Sequence, residues 1–183
     1  SNCPRQDDKG CCGYYSPVFY PTDFAYLLIH QPGLINYIFS LEDITILDSS
    51  VTINNTIDGD SYLCRFHNQS QGCVLDQLFR ESVCRHFVCP GIDWESEPSL
   101  KHWKSFFADL SDYEIALNNK IAMALKNRGL TLKNDLRREA FFEEMLTLFE
   151  KATEELPAFI HACPPLAKHT IIREIRYGKE WPL

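Results

Sequence analysis

Seven of the chain's eight cysteines lie in its first 89 residues: Cys3, the doublet Cys11-Cys12, then Cys64, Cys73, Cys84 and Cys89. Thiols at this density support three kinds of chemistry. As disulfides they would staple the fold, although such frameworks serve mostly small secreted domains that are short of core. As a catalytic site, one activated thiolate needs one neighbouring base, and His67 and His86 stand close to cysteines in the chain. As metal ligands, thiolates donate strongly to zinc, copper(I) and iron–sulfur clusters. Cys84-x4-Cys89 approaches the C-x2-4-C spacing that brings two thiolates to one zinc ion. A single tetrahedral site takes four thiolates, so seven suit two ions, or a four-iron cluster with further structural thiols. The vicinal pair fits a bridged or polynuclear site better than a single ion. Cys163 stands apart and reads as a small core residue.

Charge leans the same way. The chain of 183 residues carries a formal net charge of −7. Residues 1–89 hold five Lys/Arg against ten Asp/Glu, so thiolates there would deepen an existing negative field that a bound cation relieves. No basic patch is present of the kind that nucleic acid requires. No apolar run reaches the roughly 20 residues of a membrane-spanning helix. The N-terminal "SNCPRQDDKG" is polar and unlike a signal peptide, which points to the cytoplasm. Against that, "NNT" at 54 and "NQS" at 68 fit the glycosylation pattern of secreted proteins.

The elements that would position these thiols follow from patterning. With 45% hydrophobic and 13% aromatic residues, the chain can bury a sizeable core. Pro21, Thr22 and Asp23 open a helix whose apolar face is Phe24, Leu27 and Leu28, and Pro32-Gly33 stops it. "LINYIFSLED" suits either helix or strand. The β-branched run "ITILDSSVTINNTIDGDSYLCRF" reads as two or three short antiparallel strands, with Cys64 at the end of the last. "VLDQLFRESVCRHF" has helical spacing, placing Cys73 and Cys84 near the two ends of one short helix. From residue 99 the pattern turns helical. Ser99 caps one helix, and a Ser111/Glu114 capping box opens another that Gly129 stops. Leu136, Ala140, Phe141, Met145 and Phe149 make one stripe on a third, ended by Pro157. "PPLAKHTIIREIRYG" reads as a last helix. The fold class is therefore α+β: a cysteine-rich unit with a small antiparallel sheet over 1–95, packed with a mainly helical region over 96–183.

These motifs resemble the YkgJ-type cysteine-cluster family of zinc- or iron-chelating domains. Cys11-Cys12 matches the family's doublet, Cys64-Arg65-Phe66 its middle cysteine, and Cys73-Val74-Leu75 the next. "RESVCRHF" (Arg80 to Phe87) matches its closing R-P-x-x-C-R-x-[FY], with Glu81 in place of the proline. The likeness runs over residues 3–89. It implies a metal-binding protein that chelates zinc or iron, the latter as a 4Fe–4S cluster, through Cys11, Cys12, Cys64, Cys73 and Cys84, joined by Cys89 and Cys3. The same cluster occurs in flagellin lysine N-methylases, which implies a protein-modifying enzyme as the alternative. A secreted disulfide-stabilised domain is the second alternative. Arg85 is expected to face the thiolates or to form a surface salt bridge. His67 and His86 read as ligands or as ordinary hydrogen-bonded histidines.

Overall fold

The computed structural model describes residues 10–172 apart from 14, 60, 69, 87 and 89–92. It is an α+β fold with small antiparallel sheets and long helices in the second half of the chain. Two units are distinguished: residues 1–86 with 117–154, and residues 87–116 with 155–183.

In the first unit, a 3-10 turn (Gly10–Gly13) leads to β1 (Val18–Phe19) and then α1 (Pro21–His30). Pro21 at the first helical position suits α1, and the Asp23 carboxylate accepts from the Tyr20 N–H at 2.9 Å, closing its N-terminus. Pro32 does more than stop α1. It begins α2 (Pro32–Ser40), because a proline that cannot continue one helix is well suited to start the next. "LINYIFS" is accordingly helical.

Four strands follow where two or three were expected: β2 (Ile44–Ile46), β3 (Val51–Ile53), β4 (Thr56–Asp58) and β5 (Ser61–Leu63). They form two separate antiparallel pieces, β1-β3-β2 and β4-β5. In the first, Val18 faces Thr52 and Ile44 faces Ile53, which turns Phe19, Val51 and Ile53 into the core. Gly59 makes the β4-β5 turn at φ +63°, a conformation open to glycine at little cost. A third ladder, β6 (His67–Asn68) with β7 (Gly72–Cys73), comes directly after Cys64.

The single helix expected over 74–87 is instead two short pieces, and Cys73 belongs to β7. A 3-10 turn (Gln77–Phe79) is capped by Asp76, whose side chain accepts from the Leu78 N–H at 2.9 Å. A second start follows at α3 (Ser82–His86). Two side-chain caps in six residues each satisfy orphan N–H groups, and together they divide the apolar run.

The long helix α4 (Lys101–Asn127) passes through Ser111 unbroken, so the Ser111/Glu114 pair opens nothing. No glycine or proline interrupts the chain there, and a capping box starts a helix only where the preceding backbone has left it. A 3-10 turn (Pro98–Leu100), which contains Ser99, runs into its start. Its end is as the sequence suggests. Gly129 sits at φ +65°, the Leu130 N–H reaches the Leu125 carbonyl, and the Gly129 N–H reaches that of Lys126, each at 3.0 Å. This is a Schellman stop, with buried Leu125 and Leu130 supplying its apolar contact.

After a 3-10 turn (Asp135–Arg137), α5 (Arg138–Thr153) packs along α1 in the first unit. Phe24 meets Phe142 edge-on at 5.4 Å and stacks on Phe39 at 6.2 Å. Phe141 and Met145 are fully buried, whereas Leu136 is 97% exposed and Ala140 faces solvent, so the apolar stripe is narrower than its spacing suggests. The Thr22 N–H donates to Asn118 Oδ1 at 2.9 Å, anchoring α1 on the part of α4 that belongs to this unit.

The second unit has its own aromatic cluster. Trp94, Trp103, Phe106 and Phe107 pack on one another, and Phe159 meets Phe106 and Tyr113. Phe159 lies on a short helix, α6 (Ala158–His161). The described part of "PPLAKHTIIREIRYG" carries no regular element. Cys163 is exposed rather than core. Among the described residues no helix is long and apolar enough to cross a membrane.

Candidate functional site

Three local devices gather the thiols. Cys12 lies in the first 3-10 turn, and its carbonyl accepts from the Cys64 N–H at 2.8 Å, so the doublet region is fastened to the chain leaving β5. Cys64 then opens a tight turn. The His67 N–H donates to the Cys64 carbonyl at 2.9 Å. Phe66, 2% exposed, anchors this turn in the core against Phe19. Beyond it, β6 and β7 place Cys73 directly opposite His67.

The third device is α3. Glu81 precedes it and is 1% exposed. Its carboxylate accepts from the Val83 N–H at 3.0 Å and from the Cys84 N–H at 2.8 Å. A charged acceptor at a helix N-terminus is favourable on both hydrogen-bond and dipole grounds. Here it also fixes Cys84 within the cluster.

Burial and neighbouring charge act together on these groups. Burial pushes the Cys64 thiol up to about 11, helped by the fields of Cys12, Cys73 and Glu81 and opposed by the Phe66 N–H. Burial pushes Cys84 far above the ordinary thiol range, aided by the Glu81 charge and hydrogen bond and then by Cys64 and Cys12. Tyr15 is likewise raised, by burial first and then by Glu81 and Cys84. Cys12, Cys64, Cys73, Cys84 and Glu81 therefore share one field. Their charges oppose ionisation of Cys64 and Cys84.

Arg85, next to Cys84 in the chain, is committed elsewhere. Its guanidinium donates to Asp23 Oδ1 at 3.2 Å, with Asp23 2% exposed, and lies 6.0 Å from the Tyr26 ring. The expected salt bridge is real but partly buried, and it joins α3 to α1. Arg80 donates to the Leu75 carbonyl at 3.1 Å and secures the preceding loop. His86 is exposed. The Nδ1 of His67 is buried and has no hydrogen-bond partner.

Of the seven predicted ligands, Cys12, Cys64, Cys73 and Cys84 lie among the described side chains, and the last three carry free thiols. Cys3 and Cys89 lie outside the described residues, as does the side chain of Cys11. Among the described residues no group of three or more His, Cys, Asp or Glu is arranged to hold a metal ion. Donor chemistry is a separate question, and soft thiols with one carboxylate and one imidazole nitrogen suit zinc or iron.

Sequence reasoning noted Glu81 only as a departure from a motif and missed Tyr15. The signal for Glu81 was present: a carboxylate one residue before a helix start and three before a cysteine. Compared with protein-family models, with curated proteins and with solved structures, the chain finds no match.

Proposed function

We propose that this protein binds zinc or iron through its clustered cysteines. Cys12, Cys64, Cys73 and Cys84 are the described donors, and Cys3, Cys11 and Cys89 are further candidates. The observation that carries this reading is the anchoring of cysteine-bearing segments far apart in the chain: the Cys64 N–H donates to the Cys12 carbonyl at 2.8 Å, and buried Glu81 accepts from the Cys84 N–H at 2.8 Å. The YkgJ-type motif order supports the same reading, as do the free thiols of Cys64, Cys73 and Cys84. The bound ion would cross-link the turn at Cys12, the segment Cys64 to Cys73, and α3, so metal affinity would appear as folding free energy.

Protein purified without oxygen, then analysed for metal and sulfide and by ultraviolet–visible spectroscopy, tests this. Zinc in colourless protein, or iron and sulfide in coloured protein, is the expected result. Protein that contains no metal, takes none up and carries paired cysteines would overturn it.

A further inference from the structure

We propose that the cavity between α2 and α5 binds a small organic cation, with its ammonium group beside Glu139 and Glu143 and its apolar body over the rings of Phe39 and Phe142. Such a site stands independently of the metal-binding reading above.

The cavity arises at a corner in the chain. α5 packs along α1, while Pro32 turns the backbone out of α1 and into α2. A space of about 480 Å³ is left between α2 and α5, and every residue that lines it belongs to the first unit. Small-molecule sites commonly measure about 300–1,000 Å³. Half-buried Leu28, Phe39, Phe142 and Leu146 supply the apolar lining. The two rings meet edge-on at 5.9 Å, and each also packs on fully buried Phe24, at 6.2 Å and 5.4 Å respectively. The floor is therefore held in place before a ligand arrives, which spares part of the ordering cost of binding.

The charge on the wall is one-sided. Glu139 and Glu143 are exposed, line the same cavity and stand four residues apart on α5, so they share one helix face. Among the described residues neither carboxylate has an ion-pair partner. Arg138, the one cation in the lining, is already engaged. Its guanidinium lies 4.3 Å from the Phe39 ring centre and donates to Asp135 at 2.5 Å and to the Leu132 carbonyl at 3.3 Å. Like charges at this spacing repel, and a cation between them turns that repulsion into attraction. The net charge of −7 on the chain adds a general field with the same preference.

The lining also selects the kind of cation. A hard metal ion takes oxygen ligands and gains nothing from two phenyl rings, and among the described residues no group of three or more His, Cys, Asp or Glu is arranged to hold one. A partner helix needs more length, since Arg138 to Leu146 spans only about 12 Å, little over two turns. An alkyl or aryl ammonium fits both parts, with carboxylates for its head and rings and leucines for its body.

Amide-resolved NMR of the full chain tests this with hexylammonium, butylammonium and hexanoate as probes. Hexylammonium is expected to give saturable shifts at residues 35–39 and 138–146. It should bind about tenfold more tightly than butylammonium, the effect of two further buried methylenes. Hexanoate, of the same length and opposite charge, should not bind. Glu139→Gln combined with Glu143→Gln should weaken hexylammonium about tenfold, the scale of two exposed ion pairs, and leave the fold intact because both side chains are exposed. Equal binding of hexanoate, unchanged affinity in the double variant, shifts confined to other segments, or no saturable shift at all would each overturn the proposal. Metal uptake enters none of these readouts, so this site and the metal-binding reading fail separately.

Discussion

Glu81→Gln isolates the charge at the centre of the cluster while keeping its shape. In the native arrangement one carboxylate accepts from two backbone N–H groups, of Val83 at 3.0 Å and Cys84 at 2.8 Å, at 1% exposure. Hydrogen bonds to a charged acceptor contribute about 1.5–3 kcal/mol each, and neutral ones about 0.5–1.5 kcal/mol. Glutamine retains one acceptor oxygen, so one bond weakens by about 1 kcal/mol. Its amide then turns an N–H₂ toward the other backbone donor, which loses about 2 kcal/mol more. Removing a buried charge returns part of this, for a net loss of about 2 kcal/mol. Urea unfolding of the metal-free, reduced protein measures it, with exposed Glu42→Gln as the control.

The same substitution has a chemical readout of opposite sense. The Glu81 charge and hydrogen bond help hold the Cys84 thiol protonated, second only to burial. Without them Cys84 ionises more readily, and its alkylation by iodoacetamide at pH 8, followed by peptide mass spectrometry, should become faster. A variant that is both less stable and more reactive at one thiol is hard to explain by general loosening if Cys64 alkylation is unchanged. Stability within about 0.5 kcal/mol of wild type, with no faster reaction at Cys84, would refute the account of Glu81.

Other perturbations follow from the same geometry. Cys64 is raised from 9.0 to about 11 in the folded protein, so the unfolded chain loses that proton first as pH rises. The stability it contributes is complete below pH 9 and is lost as pH climbs toward 11, by roughly 2–3 kcal/mol, and Cys64→Ser should flatten this slope in metal-free urea titrations. Arg85→Met strands the Asp23 carboxylate, which keeps only part of its compensation from the Tyr20 N–H. A loss of about 2–3 kcal/mol is expected in the same assay, partly recovered by adding Asp23→Asn. Phe141→Ala should cost about 3–5 kcal/mol and Leu136→Ala under about 0.5 kcal/mol, because only the former is buried.

Much of this was legible in the chain and some was not, for identifiable physical reasons. Breakers and caps read correctly where the signal was local and unopposed: Pro21 and Asp23 at α1, Gly129 at the end of α4, and the β-branched run of strands. They misled where a local signal depends on what comes before it. Ser111 and Glu114 spell a helix start, yet α4 arrives there already formed. Apolar spacing over 74–87 spells one helix, yet Asp76 and Glu81 cap two starts inside it. The thiol-rich segment could be found from composition alone. The pairing of His67 with Cys73 required strand register, and the Asp23–Arg85 bridge joins residues 62 positions apart with no sequence signal at all.

The proposed site carries a consequence that its parts do not have separately. Below the ordinary thiol range Cys64 and Cys84 hold their protons, with burial as the largest cause and neighbouring acidic groups adding to it. A soft cation that enters must displace those protons, since the thiolate and not the thiol is the ligand. Uptake is therefore an exchange of protons for metal, weaker in acid and stronger as pH rises toward neutrality and beyond. Burial, which opposes ionisation of the metal-free thiols, would strengthen the attraction between thiolate and cation in the proposed complex. Glu81 acts in the same two directions, against the bare thiolate and for the bound ion. On the proposed reading, thiols held protonated by burial would resist reaction until a metal displaced their protons.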